Sequence, residues 1–139
     1  MDKTYTSLQK KFNNDFELSQ KINKTFKELM TMIFKEKRIY QETFCEKTDL
    51  SPMTFSRLKN GEIPKMKTLI AFCISFEIGI QTVLILLNAM GHSFIMGDRV
   101  HYAYSYLITN YSGTSIYECN RILEALGIEE KYLLKENSR

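Results

Sequence analysis

The chain has 139 residues, of which 44% are hydrophobic and 25% are charged. These values fit one globular domain, or a domain with a small appendage, and they exclude a chain that is disordered throughout. Only two prolines and six glycines are available for turns, so long helices are favoured over a many-stranded sheet.

The net charge of +3 is too small to identify a nucleic acid as the partner. All of the positive excess lies in residues 1–67, as expected for a phosphate-binding surface and equally for a solvated basic face.

The three cysteines, Cys45, Cys73 and Cys119, are far apart in the sequence and include no CxxC pair. We expect them to be buried as small hydrophobic side chains rather than to form disulfides or bind zinc. Free cysteines suit a reducing cytoplasm. Because the first twelve residues lack an apolar segment, we expect no secretory signal and a cytoplasmic protein.

Residues 1–24 are predicted to form an N-terminal helical arm. Their apolar side chains recur mostly every three or four residues, which is typical of one weakly amphipathic helix or of two short helices that meet near Asn13. The apolar positions are Tyr5, Leu8, Phe12, Phe16, Leu18 and Ile22. The arm either packs over the domain, or it contributes to a dimer and to phosphate binding through Lys10, Lys11 and Lys21.

Two further helices are predicted at residues 25–37 and 41–48. The first places five apolar side chains on one face, at Phe26, Leu29, Met30, Ile33 and Phe34. The second turns Phe44 and Cys45 inward. Asp49 follows where the chain must turn, and aspartate tolerates a left-handed backbone better than most residues.

A helix of about two turns is predicted at residues 52–59. Ser51 is a favoured N-cap, Pro52 fits the first helical position, and Asn60-Gly61 is a common helix end.

The two faces of this short helix differ. Phe55 and Leu58 lie on one side, whereas Met53, Ser56 and Arg57 lie on the other. The second face is small enough to enter a DNA major groove, which admits one α-helix. An ordinary surface helix would show the same pattern.

The apolar stretch at residues 69–90 is long enough to span a membrane. Glu77 lies near its middle, with Gly79 shortly after it. We therefore predict a break there, between two buried helices at residues 68–76 and 82–89.

Residues 91–139 are predicted to form a C-terminal helical extension. One helix is expected at residues 98–110, and another begins after the N-cap Ser115 and stops at Gly127. A docked turn at 128–134 and a frayed end at 135–139 are expected to follow.

A resemblance to a known family is carried by residues 39–61, whose sequence is I-Y-Q-E-T-F-C-E-K-T-D-L-S-P-M-T-F-S-R-L-K-N-G. This segment resembles the helix-turn-helix of lambda-repressor-like, or XRE-family, transcriptional regulators. The family pattern is matched by identity at Gln41, Glu42, Ser51, Ser56, Asn60 and Gly61. The resemblance implies an all-α, lambda-repressor-like five-helix DNA-binding core at residues 25–90, to which the arm and the extension are added. It also implies a sequence-specific DNA-binding regulator that acts as a repressor.

The sequence departs from the family pattern at five positions. Phe34 replaces an arginine that contacts phosphate in many members, Thr48 replaces an aliphatic residue, and Asp49 replaces the turn glycine. Pro52 and Met53 stand where polar base-contacting side chains are common.

The resemblance implies a DNA-contacting set formed by the 52–59 helix and its neighbours. The residues are Gln41, Ser51, Pro52, Met53, Thr54, Ser56, Arg57, Lys59, Asn60, Lys65 and Lys67. Arg57 is the main candidate for base recognition, because its guanidinium can bond guanine O6 and N7 together. Lys65 and Lys67 are candidates for phosphate contacts, as are Lys59 and Asn60. The implied partners are double-stranded DNA and a second copy of the chain, since family members generally bind two half-sites.

Two other functions remain open. A helix-turn-helix adaptor with weak or no DNA binding, such as an antitoxin or a phage-encoded antagonist, would bind a protein through the C-terminal extension and its tyrosine-rich segment 101–106. The second open function is an enzyme. The arrangement that comes nearest to a catalytic site is Asp98 with His101, which we predict to be a surface pair. No motif indicates a catalytic residue, a metal, a cofactor or a membrane anchor.

Overall fold

The computed structural model describes residues 3–20 and 23–136 of the chain. Within these ranges the regular structure is entirely helical, as predicted. The helices are α1 Lys3–Gln20, α2 Phe26–Glu36, α3 Gln41–Thr48, α4 Pro52–Lys59, α5 Met66–Ser75, α6 Ile80–Ala89, α7 Arg99–Asn110 and α8 Ile116–Ala125, and a 3-10 turn follows at Glu130–Tyr132. Helices α3 and α4 have the predicted bounds.

Five phenylalanines form the centre of the core beneath α3 and α4. They are Phe34, Phe44, Phe55, Phe72 and Phe76, and neighbouring ring centroids lie 5.3–6.5 Å apart. Rings at this separation attract one another beyond the burial of their surface. Phe34 is only 6% exposed, so the residue that replaces the family's arginine serves the core.

The apolar stretch 69–90 is divided, as predicted. Helix α5 ends at Ser75 and α6 begins at Ile80, and Glu77 between them has a φ of 54°. This left-handed residue turns the chain between the two helices. No helix in the part of the chain that the structure describes is long and apolar enough to cross a membrane.

The C-terminal extension shares the hydrophobic core of the preceding helices. Tyr104, Leu123 and Leu134 are at most 2% exposed and belong to the same cluster as the five phenylalanines. The side chain of Asn120 accepts a hydrogen bond from the N–H of Leu134 at 2.6 Å and donates one to its carbonyl at 3.3 Å. The turn at 128–134 is therefore docked, as predicted.

Helix α1 is a single helix whose side chains remain exposed. From residue 5 to residue 20, every side chain except the half-buried Leu18 is exposed. The apolar residues Tyr5, Leu8, Phe12 and Phe16 are 53–65% exposed. The interpretation of this segment as an arm packed over the domain is therefore wrong. Lys21 lies outside the described residues.

The cysteines are free thiols, and burial, which was predicted for all three, is found for two of them. Cys73 and Cys119 have no exposed surface, whereas Cys45 is half-buried. Burial raises the pKa of the Cys119 thiol to about 11 and also raises that of Cys73. Both thiols are therefore protonated and unreactive at neutral pH.

Candidate nucleic-acid interface

The turn between α3 and α4 is held by Thr48 and Asp49. Asp49 has φ 58° and ψ 27°, which is the left-handed conformation predicted for it, and its N–H donates to Cys45 O. The buried Thr48 Oγ1 donates to Phe44 O at 2.6 Å and accepts from Leu50 N at 3.1 Å. These two bonds satisfy a hydroxyl inside the core and fix the path of the chain into the turn.

Helix α4 begins and ends as its sequence predicts. Ser51 Oγ accepts a hydrogen bond from Thr54 N at 3.2 Å, and Pro52 occupies the first turn. Gly61 follows the helix with a φ of 80°, and a Cβ at this position would lie 2.4 Å from Lys27 Cβ. Glycine is required there both by the backbone conformation and by the close approach of α2.

The side chains on the outer face of α4 are exposed. We define this outer face as Pro52, Met53, Ser56 and Arg57. On the opposite side, Phe55 and Leu58 are 6% and 1% exposed. The helix thus presents a short polar and apolar surface with one arginine, and it is anchored by its inner face.

Four further predicted contact residues are also exposed. Gln41 is exposed at the first position of α3, and Asn60 is exposed at the C-cap of α4. Lys59 is exposed, and its Nζ lies 5.9 Å from the centroid of the Phe55 ring. Lys65 is exposed just before α5. These four predicted contact residues are therefore accessible to a partner.

Lys67 is placed differently from the other predicted contacts. It is 8% exposed, and its Nζ donates a hydrogen bond to Lys131 O at 3.0 Å. Burial lowers the pKa of Lys67, and the positive charges of Lys65 and Lys135 lower it further. A phosphate contact requires an accessible ammonium, whereas this one lies between α5 and the C-terminal turn.

Glu136, which sequence reasoning missed, contacts the start of α4. Its Oε1 accepts hydrogen bonds from Thr54 Oγ1 at 2.5 Å and from Ser51 N at 2.8 Å. These two bonds lower the pKa of Glu136, and the positive charge of Arg57 lowers it further. The expectation of a frayed end is therefore wrong at Glu136. One signal was available: Thr54 stands where a capping box has Glu or Gln, so the sequence supplies no local carboxylate or amide acceptor for Ser51 N.

Asp98 and His101 have structural roles at the start of α7. Asp98 Oδ1 accepts a hydrogen bond from His101 N at 3.0 Å and caps the helix. His101 Nδ1 accepts one from Ile95 N at 2.8 Å, so this ring nitrogen carries no proton. The carboxylate bonds the backbone of His101 rather than its ring, which is not the arrangement of a catalytic acid–base pair.

The segment that contains α3, the turn and α4 matches a known family model. Residues 29–87 match the family model of the Cro/C1-type helix-turn-helix DNA-binding domain. The matched range begins within α2, ends within α6 and contains α3, the turn and α4. This match confirms the resemblance seen in the sequence. No curated protein and no solved structure matches the chain.

Proposed function

We propose that this protein, whose residues 29–87 form a Cro/C1-type helix-turn-helix domain of lambda-repressor-like fold, is a sequence-specific DNA-binding transcription regulator. Helix α4 enters the major groove with its outer face. One observation carries the proposal: within the segment that matches this domain, the second helix of the helix-turn-helix is capped, buried on its inner face and exposed on its outer face. A helix of these dimensions fits the major groove of B-DNA.

Arg57 is the principal base-contacting residue in this proposal. Its side chain is exposed on the outer face, and its guanidinium can donate two hydrogen bonds to guanine O6 and N7. Pro52 and Met53 lie at the exposed start of the same face, where they contact thymine methyl groups.

The flanking polar residues hold the phosphates. The exposed residues proposed for this role are Gln41, Lys59, Asn60 and Lys65. Such contacts supply affinity and register but carry no sequence information. Lys67 is left out of this set because its ammonium already bonds Lys131 O.

We further propose that the protein represses transcription, because a protein bound over a promoter excludes the polymerase from the same DNA. Transcription in vitro from a template with the selected binding site placed over the promoter tests this step. Repression predicts a loss of transcript as protein is added, and a rise in transcript would contradict it.

A homodimer formed through α1 completes the proposal. The exposed apolar stripe of α1 consists of Tyr5, Leu8, Phe12 and Phe16. The first half of the helix carries Lys10 and Lys11, and the second half carries Asp15 and Glu17. Antiparallel pairing with α1 of a second copy buries both stripes and brings each basic half beside an acidic half.

A substitution in the stripe tests the dimer. Phe12→Asp should shift the protein from dimer to monomer in sedimentation velocity, because it places a carboxylate in the buried stripe. Asn14→Asp adds the same charge on the opposite side of α1 and should leave the dimer intact. If the wild type is a monomer, or if the two substitutions have equal effects, the assignment of α1 as the dimer surface is wrong.

Selection of bound sequences from random duplex DNA, at two salt concentrations, tests DNA recognition itself. The proposal predicts an enriched motif of two half-sites about one helical turn apart, with an affinity that falls as salt rises. Salt-sensitive binding without a motif would reduce the function to non-specific DNA binding. Absence of binding to any duplex would overturn it.

A second candidate function, a protein-interaction adaptor, is favoured by exposed aromatic side chains on the extension. Tyr102, Tyr106 and Tyr117 are 73%, 42% and 70% exposed, whereas Tyr104 of the same segment is buried. Tyrosine is enriched among the residues that anchor protein interfaces. The same selection separates the two functions, because an adaptor enriches no DNA motif.

A further inference from the structure

The carboxylate of Glu136 occupies the end of α4 that the proposed function places in DNA. Ser51 and Thr54, both predicted DNA contacts, donate the backbone N–H and the hydroxyl that bond Glu136 Oε1. Glu136 lies 85 positions beyond Ser51 in the chain, so the contact exists only because the C-terminal extension folds back onto the helix-turn-helix. In this docked state both donors are already bonded.

We propose that Glu136 is a built-in competitor of DNA, which occupies the start of α4 in the free protein and must leave before the outer face enters the groove. This inference rests on the proposed function of α4.

Charge explains why the docked state and the DNA-bound state exclude each other. The N-terminal end of a helix carries partial positive charge and exposed N–H groups, which attract a phosphate and a carboxylate alike. Glu136 takes this position in the free protein, and it also lies close enough to Arg57 for that charge to lower its pKa. A carboxylate left in place would face the DNA phosphates at close range and repel them.

The structure also shows which part of the chain has to move. Leu133 and Leu134 are 5% and 0% exposed, and Asn120 bonds both backbone groups of Leu134. Lys135 and Glu136 are exposed. Release of the Glu136 side chain therefore leaves the core intact and breaks its bonds to Ser51 and Thr54, whereas Lys135 can keep its contact with Glu130.

A purely structural cap is the competing explanation. In a capping box, a Glu three residues after the N-cap accepts from the N-cap N–H. Thr54 stands at that position, and Glu136 supplies the carboxylate instead. If Glu136 only stabilises α4, its removal leaves DNA affinity unchanged or weakens it, whereas removal of a competitor strengthens it. The two explanations predict opposite signs.

Fluorescence anisotropy with a duplex of about 20 base pairs decides between them. The probe is the sequence enriched by the selection, or a mixed-sequence duplex if none is enriched, and salt is held fixed. Glu136→Ala should bind roughly tenfold more tightly than the wild type, because apparent affinity is reduced by the fraction of protein in the released state. Glu136→Gln should gain less, since its amide oxygen can still accept both bonds.

Glu62→Ala is the matched control. Glu62 lines the same groove beside α4 as Glu136, and its replacement removes an equal charge without removing the bonds to Ser51 and Thr54. A gain for Glu136→Ala no larger than that for Glu62→Ala would overturn the inference.

A readout without DNA separates the two proposals. The NMR amide shift of Ser51 should change in Glu136→Ala, and an unchanged shift would disprove the docked contact whatever the DNA result. If the wild type binds the duplex and Glu136→Ala gains nothing, only the inference fails. If neither protein binds any duplex, the proposed function fails and the inference falls with it.

Discussion

The inner and outer faces of the helix-turn-helix differ in burial. On the inner face, Phe44, Phe55 and Leu58 are at most 6% exposed, and the ring centroids of Phe44 and Phe55 lie 5.3 Å apart. On the outer face, the side chains are exposed. The C-terminal segment contacts the start of α4 through Glu136, which accepts hydrogen bonds from Ser51 and Thr54. The inner face therefore maintains the fold, and the outer face can change its chemistry without loss of the fold. Stability and DNA recognition should respond to different substitutions.

The largest effect is expected for Phe44→Ala on the inner face. Phe44 has no exposed surface, and its ring lies 5.3 Å from that of Phe55 and 5.9 Å from that of Phe72. The substitution should lower the free energy of unfolding by about 3–5 kcal/mol, measured by chemical denaturation, because it leaves a cavity. Tyr40→Ala, at a position 68% exposed, should change it by less than about 0.5 kcal/mol. Equal costs for this buried and this exposed aromatic residue would contradict the role of the inner face in maintaining the fold.

A smaller loss of stability is expected for Thr48→Val. The hydroxyl of Thr48 bonds Phe44 O and Leu50 N inside the core, so valine keeps the shape and leaves a buried N–H unpaired. The free energy of unfolding should fall by about 1–3 kcal/mol. Thr31→Val is the control, because the exposed Thr31 hydroxyl also bonds the carbonyl four residues before it. An unchanged free energy of unfolding in Thr48→Val would mean that the hydroxyl does not stabilise the turn.

Arg57→Ala should affect recognition and leave stability within about 0.5 kcal/mol of the wild type. Loss of the guanidinium should cost about 1–3 kcal/mol at one operator position and relax the base preference there. Lys65→Ala, by contrast, should weaken all sequences alike. Arg121→Ala, which removes an exposed arginine of α8, is the control for the change in charge. An unchanged base preference in Arg57→Ala, titrated at fixed salt, would remove Arg57 as the base-contacting residue.

The fold of the helix-turn-helix was predictable because its signals are local. Periodic apolar residues, the Ser51-Pro52 start and the Asn60-Gly61 end give the bounds of α4, and Asp49 adopts the left-handed conformation that its position requires. Phe34 and Thr48 departed from the family pattern. Their roles became clear only from their neighbours, since packing and buried hydrogen bonds depend on contacts distant in sequence.

The placement of Lys67 and Glu136 could not be predicted from local pattern. Lys67 has the sequence context of an exposed phosphate contact, yet a carbonyl 64 residues later bonds its ammonium. Glu136 lies in a polar end that resembles a frayed terminus, yet it bonds the start of α4. Both placements follow from docking of the C-terminal turn, which depends on tertiary packing of Leu133 and Leu134.

The most direct test of the central claim is an NMR titration of the wild-type protein with the enriched duplex. If the outer face of α4 binds DNA, the largest amide shift changes should fall at Gln41, at Ser51, at residues 53–60 and at Lys65. Helix α7 and its exposed Tyr102 should be nearly unaffected. Largest changes on α7, or no change at any salt concentration that keeps the protein folded, would contradict the assignment of α4 as the DNA-binding helix.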